Sequence, residues 1–568
     1  MTFNRATRLL HTIRFLKPSQ IGWRLYYLAL RSRVRRKAMS ALPPVLVRPW
    51  QDIWMAPVWM PSCWVGNNEF KFLGERGFLT TSKDWHCSEK SKLWLYNLHY
   101  FDDLTAQEAE TRFEMHCDLV SSWINSNPVL TGNGWEPYTL SLRIVNLVKW
   151  FKGPVWGNRE CIPDAWCNSL ARQAQALSAQ REYHILANHL FVNGKALIFA
   201  GAFLQGDLAD RFLQEGLTIL DAEIPEQFLC DGGHFERSPM YHAILLWDLA
   251  DLIMLAECSD LPSLKKRVTL WRDYLARGLN WLEMMCHPDG DISFFNDAAF
   301  DIGPKFTDLK RYAVKLQVSG LKDSCLKTSG IAEDYPLVIQ HAVPSGYIAV
   351  TWAKECKALL DLAPIGPDYQ PGHAHADTLS FELSLYGMRI FVNSGTSQYG
   401  EDSERHRQRS TLAHNTVAVD GENSSEVWSG FRVARRAYPG EVQIDHEENL
   451  LSICGSHNGY QRLKGNVLHY RKWIFEKNKL IVEDRLNGLY KQAVARYFCH
   501  PDVSLIMSNS HRGFLITHNG EKIVLFIEGG EASVELSTWH PRFGDTQNSQ
   551  CLVVNMTSSC CRVSLSWG

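Results

Sequence analysis

The run Gly372-His373-Ala374-His375-Ala376-Asp377, continued by Thr378-Leu379-Ser380-Phe381-Glu382-Leu383-Ser384-Leu385, decides how the chain is read. In an extended segment alternate side chains share a side, so His373, His375 and Asp377 fall together, roughly 6 to 7 Å between successive members. Leu379, Phe381, Leu383 and Leu385 then alternate with Ser380, Glu382 and Ser384, the pattern of a half-buried strand. Tyr386-Gly387 reads as a turn, and Met388, Ile390 and Val392 mark a return strand ending near Asn393. His414 opens a further apolar run that stops at the turn pair Asp420-Gly421. One histidine in such a place is most simply a core or surface residue. Three ordered ones with an acid point to a site at the start of a sheet.

Outward from that stretch, strand patterns dominate from Gly346 to the end, whereas the preceding two hundred residues have helical spacing. Ile144, Val145, Val148 and Phe151 mark one helix face; Leu190, Leu197 and Ile198 mark another; Leu245, Leu249 and Leu252 a third. Short loops carrying Gly or Pro separate them, such as Asp231-Gly232-Gly233 and His287-Pro288-Asp289-Gly290. The expected organisation is a basic helical segment over residues 1–51, a small connector with short strands over 52–90, an all-α domain over 91–330 and an all-β domain over 331–568. A chain of 568 residues exceeds what one core spans, so several domains are required.

The formal charge is −2, yet residues 1–51 hold eleven Lys or Arg and no acid, which leaves −13 for the remainder. An acidic body is no platform for nucleic acid, so no such partner is expected. The Trp- and Tyr-bearing basic segment suits either packing on the body of the protein or peripheral contact with an anionic membrane surface. Fifteen scattered cysteines without a CxxC spacing fit a reducing compartment. No signal peptide or transmembrane run is read, so the expected location is the cytoplasm, at the inner membrane surface if the basic segment docks, with the periplasm as the alternative.

The grouping Gly-His-x-His-x-Asp, the paired strand ending Phe391-Val392-Asn393-Ser394-Gly395-Thr396, and Ala413-His414-Asn415-Thr416-Val417 resemble the sandwich domain of the heparinase II/III family of polysaccharide lyases, within the wider alginate and heparinoid lyases. In the helical part the resemblance is carried by Trp135-Glu136-Pro137-Tyr138 with Arg143, by Asn188-His189-Leu190, and by Gly233-His234-Phe235-Glu236-Arg237-Ser238-Pro239-Met240-Tyr241-His242, in that order over about residues 90–510. It implies an incomplete α/α toroid followed by an antiparallel β-sandwich. It further implies β-elimination on an acidic, uronic-acid-containing polysaccharide, without an organic cofactor.

Elimination removes a weakly acidic proton beside the uronate carboxylate and expels the glycosidic oxygen, so the carboxylate must be neutralised as charge spreads onto it. The resemblance assigns that task to Asn188 with His189, and the proton transfers to Tyr241 and His373. Imidazole suits a base near neutrality; a phenol suits the acid, or both roles if a neighbouring cation lowers its pKa. Arg143, Glu236 and Arg237 are the implied substrate-binding residues, Arg143 through a planar fork that matches a carboxylate or sulfate. A structural zinc is implied at His375, Asn393 and His414, although the family usually has Asp where this chain has Asn393, an amide being the poorer ligand. Asp377 or water is the substitute ligand, and a hydrogen-bonded strut without metal is the other outcome. Arg405, Arg407 and Arg409 form a polar loop able to meet an anionic polymer. Two further function classes stay open: a glycoside hydrolase on the same toroid, using a carboxylate pair among Asp231, Glu236 and Glu136, and a non-catalytic protein that binds a cell-surface glycan.

Overall fold

The computed structural model describes residues 3–157, 161–318, 326–331, 337–352, 355–447 and 450–568. Three helices, Phe3–Ile13, Pro18–Ala29 and Arg31–Ala38, open the chain, and a three-stranded antiparallel sheet (Trp64–Gly66, Glu69–Phe72, Glu75–Phe78) follows. Lys92–Tyr100, Phe113–Ser126, Pro137–Phe151, Asp164–Ala179, Ala187–Phe203, Asp207–Gln227, Pro239–Ser259 and Val268–Met284 are the main helices of an incomplete α/α toroid, which Phe306–Lys315 ends. The predicted inward positions Ile144, Val148, Leu245, Leu249 and Leu252 are completely buried. Pro239–Ser259 is apolar on all sides and buried almost throughout, which is how a helix enclosed by others reads.

Close helix approach needs small residues. Ala187–Phe203 and Asp207–Gln227 cross at Gly194 and Gly216, where a Cβ on Gly216 would stand 2.5 Å from the Gly194 carbonyl oxygen. Inside the ring, Lys149 and Lys195 share Asp251, Lys195 also binds Asp248, and each contact is 2.5 Å. Buried charges of this kind persist only when paired and hydrogen-bonded.

The second domain is built on antiparallel sheets. A six-stranded meander runs Met388–Phe391, Phe381–Leu385, Cys356–Asp361, Tyr347–Trp352, Leu337–Ala342 and Leu326–Ile331 in spatial order. It packs on an eight-stranded sheet and a four-stranded one through Trp352, Phe381, Phe391, Trp473, Phe475 and Tyr497. Its other face lies on the toroid, where Trp281, Met284, Met285 and Phe295 meet Tyr347, Ala349 and Leu359.

This double covering corrects the half-buried strand. Ser380, Glu382 and Ser384 are as buried as Leu379, Phe381 and Leu383, because His287, just after the last long toroid helix, binds the Glu382 carboxylate at 2.8 Å and the Ser384 hydroxyl at 2.7 Å. The strand also starts later than its alternation suggests. Residues 372–380 form turns, and Leu379 has a left-handed φ of 66°. The two predicted turns are present: Tyr386-Gly387 and Asp420-Gly421 each place two consecutive residues at positive φ, as a tight hairpin demands.

Candidate functional site

The site lies where the helix Pro239–Ser259 begins against the loop 372–377. Ser238 caps that helix, its hydroxyl accepting from the Tyr241 N–H at 3.2 Å, and Pro239 at the first helical position needs no acceptor. A cap of this kind is worth about 1 kcal/mol. It also fixes Tyr241 in the first turn, where the ring lies 3.9 Å from the His373 ring, centroid to centroid, at 32°. The Tyr241 hydroxyl is 2.8 Å from that of Tyr399. Burial, then the neighbouring Tyr399, pushes the Tyr241 phenol well above its usual range, so it is a neutral O–H near pH 7.

His373 is held by a residue that no sequence pattern marks. Asp297, in the loop after the toroid's last long helix, accepts from His373 Nδ1 at 3.0 Å through one oxygen and contacts His375 Nε2 at 2.8 Å through the other. Arg405 binds both Asp297 oxygens, and Thr396 adds a contact at 3.3 Å. Burial alone would raise the Asp297 carboxyl, but Arg405 and the two histidines hold it well below the usual carboxylate range. The neighbour Asn296 completes the clamp from a left-handed backbone, φ 57°. Its N–H donates to Asp377 and its side-chain oxygen accepts from the His375 N–H, both at 3.0 Å. His373, His375 and Asp377 thus share surroundings as expected, but as a clamped loop rather than an extended edge.

With Nδ1 committed to Asp297, His373 turns Nε2 toward Glu236, 3.7 Å away. Glu236 is 2% exposed, and neither carboxylate oxygen has a hydrogen-bond partner among the described residues. Burial pushes its carboxyl up, with His373 and His189 partly offsetting. Asn188, whose backbone N–H lies near Glu236, is itself 4% exposed, with an Oδ1 that has no partner among the described residues. Buried polar atoms without partners are uncommon, and several in one place mark a surface built for something else to bind. Asn188 starts the helix Ala187–Phe203 after two left-handed non-glycine residues, Leu186 (φ 70°) and Ala187 (φ 53°), strain of a kind that gathers at functional sites.

His189 bonds Glu182 at 3.0 Å and packs on Tyr138, 4.7 Å between centroids. Burial would lower its pKa, but the Glu182 charge and hydrogen bond push it up, toward the cation. Tyr138, Tyr241 and Tyr399 also line a cleft of about 700 Å³ whose other walls include Trp54–Pro61, Trp247 and Phe543.

Two of the three expected binding residues, Arg143 and Arg237, bind the scaffold, as does most of the expected arginine loop. Arg143 is fully buried: it donates to Gln173 at 2.8 Å and to the carbonyls of His99 and Gly134, and stacks on Trp123 at 3.8 Å. Three of its five N–H groups bind the scaffold, and the side chain has no exposed surface to offer. Arg237 donates to the carbonyl of Ser345 at 3.0 Å and to that of Phe235, tying the toroid to the sheet domain instead of facing substrate. The expected loop of Arg405, Arg407 and Arg409 is a short helix, Ser403–Arg409. Arg405 and Arg409 are fully buried in it, and Arg407 pairs with Glu404 at 2.7 Å.

Of the three acids considered for a hydrolytic pair, Asp231 accepts from the backbone N–H groups of Gly233 and Ser345, and Glu136 binds Lys92 and Tyr96. Only Glu236 keeps open oxygens. Asp297, Tyr399 and Glu182 were missed by the sequence reading; each lies in an ordinary polar or aromatic stretch and acquires its place through long-range contacts.

His375, Asp377 and His414 form a group whose ligand atoms all lie within 4.8 Å of one another. His375 Nδ1 is 3.2 Å from His414 Nε2, near the roughly 3.4 Å that separates two nitrogens on a tetrahedral zinc at about 2.0–2.1 Å. Asp297 on the far nitrogen of His375 is the carboxylate partner that metal-bound imidazoles usually carry. Burial lowers the pKa of both histidines, keeping them in the neutral, ligating form. Asn393 fits less well: its Oδ1 accepts from the Asn415 N–H at 3.3 Å and its buried Nδ2 has no acceptor among the described residues.

Residues 76–311 match the family model described as heparinase II/III N-terminus, and residues 338–567 match that described as heparinase II/III-like, C-terminal. The heparin-sulfate lyase of Pedobacter heparinus is 24% identical over 368 residues, covering 59% of this chain and 53% of that protein. The heparin-sulfate lyase of Bacteroides thetaiotaomicron is 24% identical over 404 residues, covering 64% and 53%. The chain spans about half the length of the curated relatives it matches. Among solved structures, a heparinase III superposes with a TM-score of 0.66 at 17% identity, over 97% of this chain and 92% of that one. A heparan sulfate lyase mutant from Pedobacter heparinus gives 0.58 at 18%, over 88% and 81%. These likenesses share the toroid and sheet architecture.

Proposed function

The chain belongs to the heparinase II/III family, and from that premise we propose that it is a polysaccharide lyase that cleaves a uronic-acid-containing polymer by β-elimination. The observation that carries this reading is the Tyr241–His373 pair beside the unpartnered atoms of Glu236 and Asn188.

In the proposed reaction the uronate carboxylate binds against Asn188 and Glu236. Burial shifts Glu236 toward its protonated form, whose O–H would donate to that carboxylate; the Asn188 amide N–H donates beside it, with His189, which Glu182 shifts toward its protonated form against burial, near. These donors strengthen as charge moves onto the carboxylate, the interaction that lowers the barrier most. His373 Nε2 takes the proton from the adjacent carbon, and Asp297 on Nδ1 stabilises the imidazolium that forms. The Tyr241 hydroxyl gives its proton to the departing glycosidic oxygen. The C–O bond breaks, its electrons pass to that oxygen, and the C–H electrons become the new double bond. The phenol, held protonated, is suited to the acid and not to the base.

For the metal we propose a divalent ion, zinc by its donor set, at His375 Nδ1, His414 Nε2 and Asp377, the resemblance alone adding Asn393. A bound ion would fix the loop that carries His373; no proton transfer runs through it.

The test is incubation with a panel of uronic-acid polysaccharides while ultraviolet absorbance is followed. Elimination creates a conjugated double bond and the absorbance rises. Reducing ends without an absorbing product would replace this reading by hydrolysis, and tight binding without either by a glycan-binding role.

A further inference from the structure

The N-terminal arm is folded onto the body with its apolar residues facing the wrong way for a solvated helix. In Pro18–Ala29 the inward positions are Gln20, Trp23 and Tyr27. Gln20 is fully buried and donates to the carbonyls of Ile185 and Tyr369 at 3.3 and 3.4 Å. Trp23 stacks on Tyr183 at 4.9 Å, and the Tyr27 hydroxyl donates to the Arg181 carbonyl at 2.5 Å. The opposite stripe is Ile21, Leu25 and Leu28, at the i, i+4, i+7 spacing of one helix face, and it is 39%, 61% and 77% exposed. The preceding helix adds Leu10 and Ile13, 70% and 42% exposed.

The arm is seated too firmly for this stripe to belong to a frayed end. Thr12 donates to the Val433 carbonyl and accepts from Trp428, Phe15 packs under Arg436 at 3.7 Å, and Arg172 donates to the carbonyls of Ala38 and Ser40. Contacts therefore run to both domains. Around the stripe the charge has one sign: Arg24, Arg31, Arg33, Arg35 and Arg36 are exposed and form no ion pair with a described acid.

We infer that the exposed apolar stripe Ile21, Leu25 and Leu28, with Leu10 and Ile13 of the preceding helix and the exposed arginines of the same arm, docks the protein peripherally on an anionic lipid surface. Apolar side chains enter the boundary between headgroups and acyl chains while guanidinium forks meet lipid phosphates. The segment carries eleven cations and no acid; Arg8, Lys17 and Arg48 pair with acids of the body, which leaves Arg24, Arg31, Arg33, Arg35 and Arg36 exposed without a described partner, and a purely polar polyanion would leave the apolar stripe without a use. The inference does not rest on the lyase reading.

The test uses the full chain and sedimentation with phosphatidylglycerol–phosphatidylcholine vesicles, with pure phosphatidylcholine vesicles as the control. Wild type is expected to partition onto the anionic vesicles and not onto the neutral ones, with binding weakened by salt over the range in which the screening length falls to about 8 Å. Leu25→Ser with Leu28→Ser, both exposed and so compatible with an unchanged melting temperature, should lower partitioning about tenfold or more. So should Arg31→Glu with Arg35→Glu. Absence of binding, or binding equal in the leucine variant and wild type, overturns the inference. Retention of double-stranded DNA by both proteins alike assigns the cations to a soluble polyanion and overturns it. A dimer that the leucine substitutions dissociate makes the face an interface between copies, and overturns it as well.

Discussion

Asp297 Oδ2 stands 3.0 Å from His373 Nδ1, so a loop of the helical domain sets the tautomer and angle of an imidazole that belongs to the sheet domain. The same carboxylate holds fully buried Arg405. Asp297→Asn should therefore act twice. Leaving a buried guanidinium unpaired should cost about 3–5 kcal/mol, read as a lower midpoint in urea or heat. At a temperature where the variant is still folded, turnover should fall by roughly 10² to 10⁴, because His373 loses its orienting partner. An unchanged midpoint would remove Asp297 from both roles.

Tyr241→Phe deletes one hydroxyl and keeps the ring on His373. Turnover should fall by roughly 10² or more while KM changes little, since the hydroxyl acts in the transition state. The helix cap is made by Ser238 to a backbone N–H, so thermal stability should be nearly unaltered. Equal losses in KM and kcat/KM at constant kcat would reassign Tyr241 to substrate binding.

Glu236 gives a pH signature. Its pKa is raised in the folded state by burial, in surroundings that include His373, His189 and Asp297. The folded protein then binds the proton more tightly than the unfolded chain, so this group subtracts stability as pH rises through its unfolded value of 4.5 toward the folded one. Glu236→Gln removes that loss. The melting temperature of the variant relative to wild type should climb across this window and level off above it, while lyase activity falls. A difference that is flat with pH would mean that the carboxyl is ionised in the folded protein.

Arg143→Ala should lower stability by about 2–5 kcal/mol through a cavity beside Trp123 and three lost hydrogen bonds. KM of the folded fraction should stay close to wild type. A rise in KM with unaltered melting would return Arg143 to the substrate.

Asn393→Asp tests the metal apart from the chemistry. If position 393 contributes a ligand as the resemblance implies, a carboxylate there should raise bound zinc, measured by elemental analysis after dialysis, and raise the melting temperature with it. If zinc content and melting are both unchanged, the group is a hydrogen-bonded strut.

The order of domains was readable because it rests on local periodicity: helical spacing through Leu245, Leu249 and Leu252, then alternation through Phe381, Leu383 and Leu385. Short-range chemistry was equally readable in the turns Tyr386-Gly387 and Asp420-Gly421. The resemblance named Tyr241, His373 and Asn188, whose short motifs survive without their surroundings. What local pattern does not carry is partnership at a distance. Asp297 is one acid in an unremarkable loop, and its importance arises only when residues 373, 375 and 405 close on it. Arg143 and Arg405 look like surface cations because a charge normally stays in water; each is buried because carbonyls or a carboxylate far along the chain meet its fork. The strand at Phe381 read as half-buried because its alternation is real, yet the toroid covers the polar face through His287.

Asn296 and Asp297 work as a latch across the domain boundary. Any movement that parted the toroid from the sheet domain would withdraw them from residues 373 to 377, so the proposed catalytic group depends on the two domains staying engaged. Separately expressed halves should be inert until they reassociate, with recovery of activity reporting the re-engagement of two adjacent side chains.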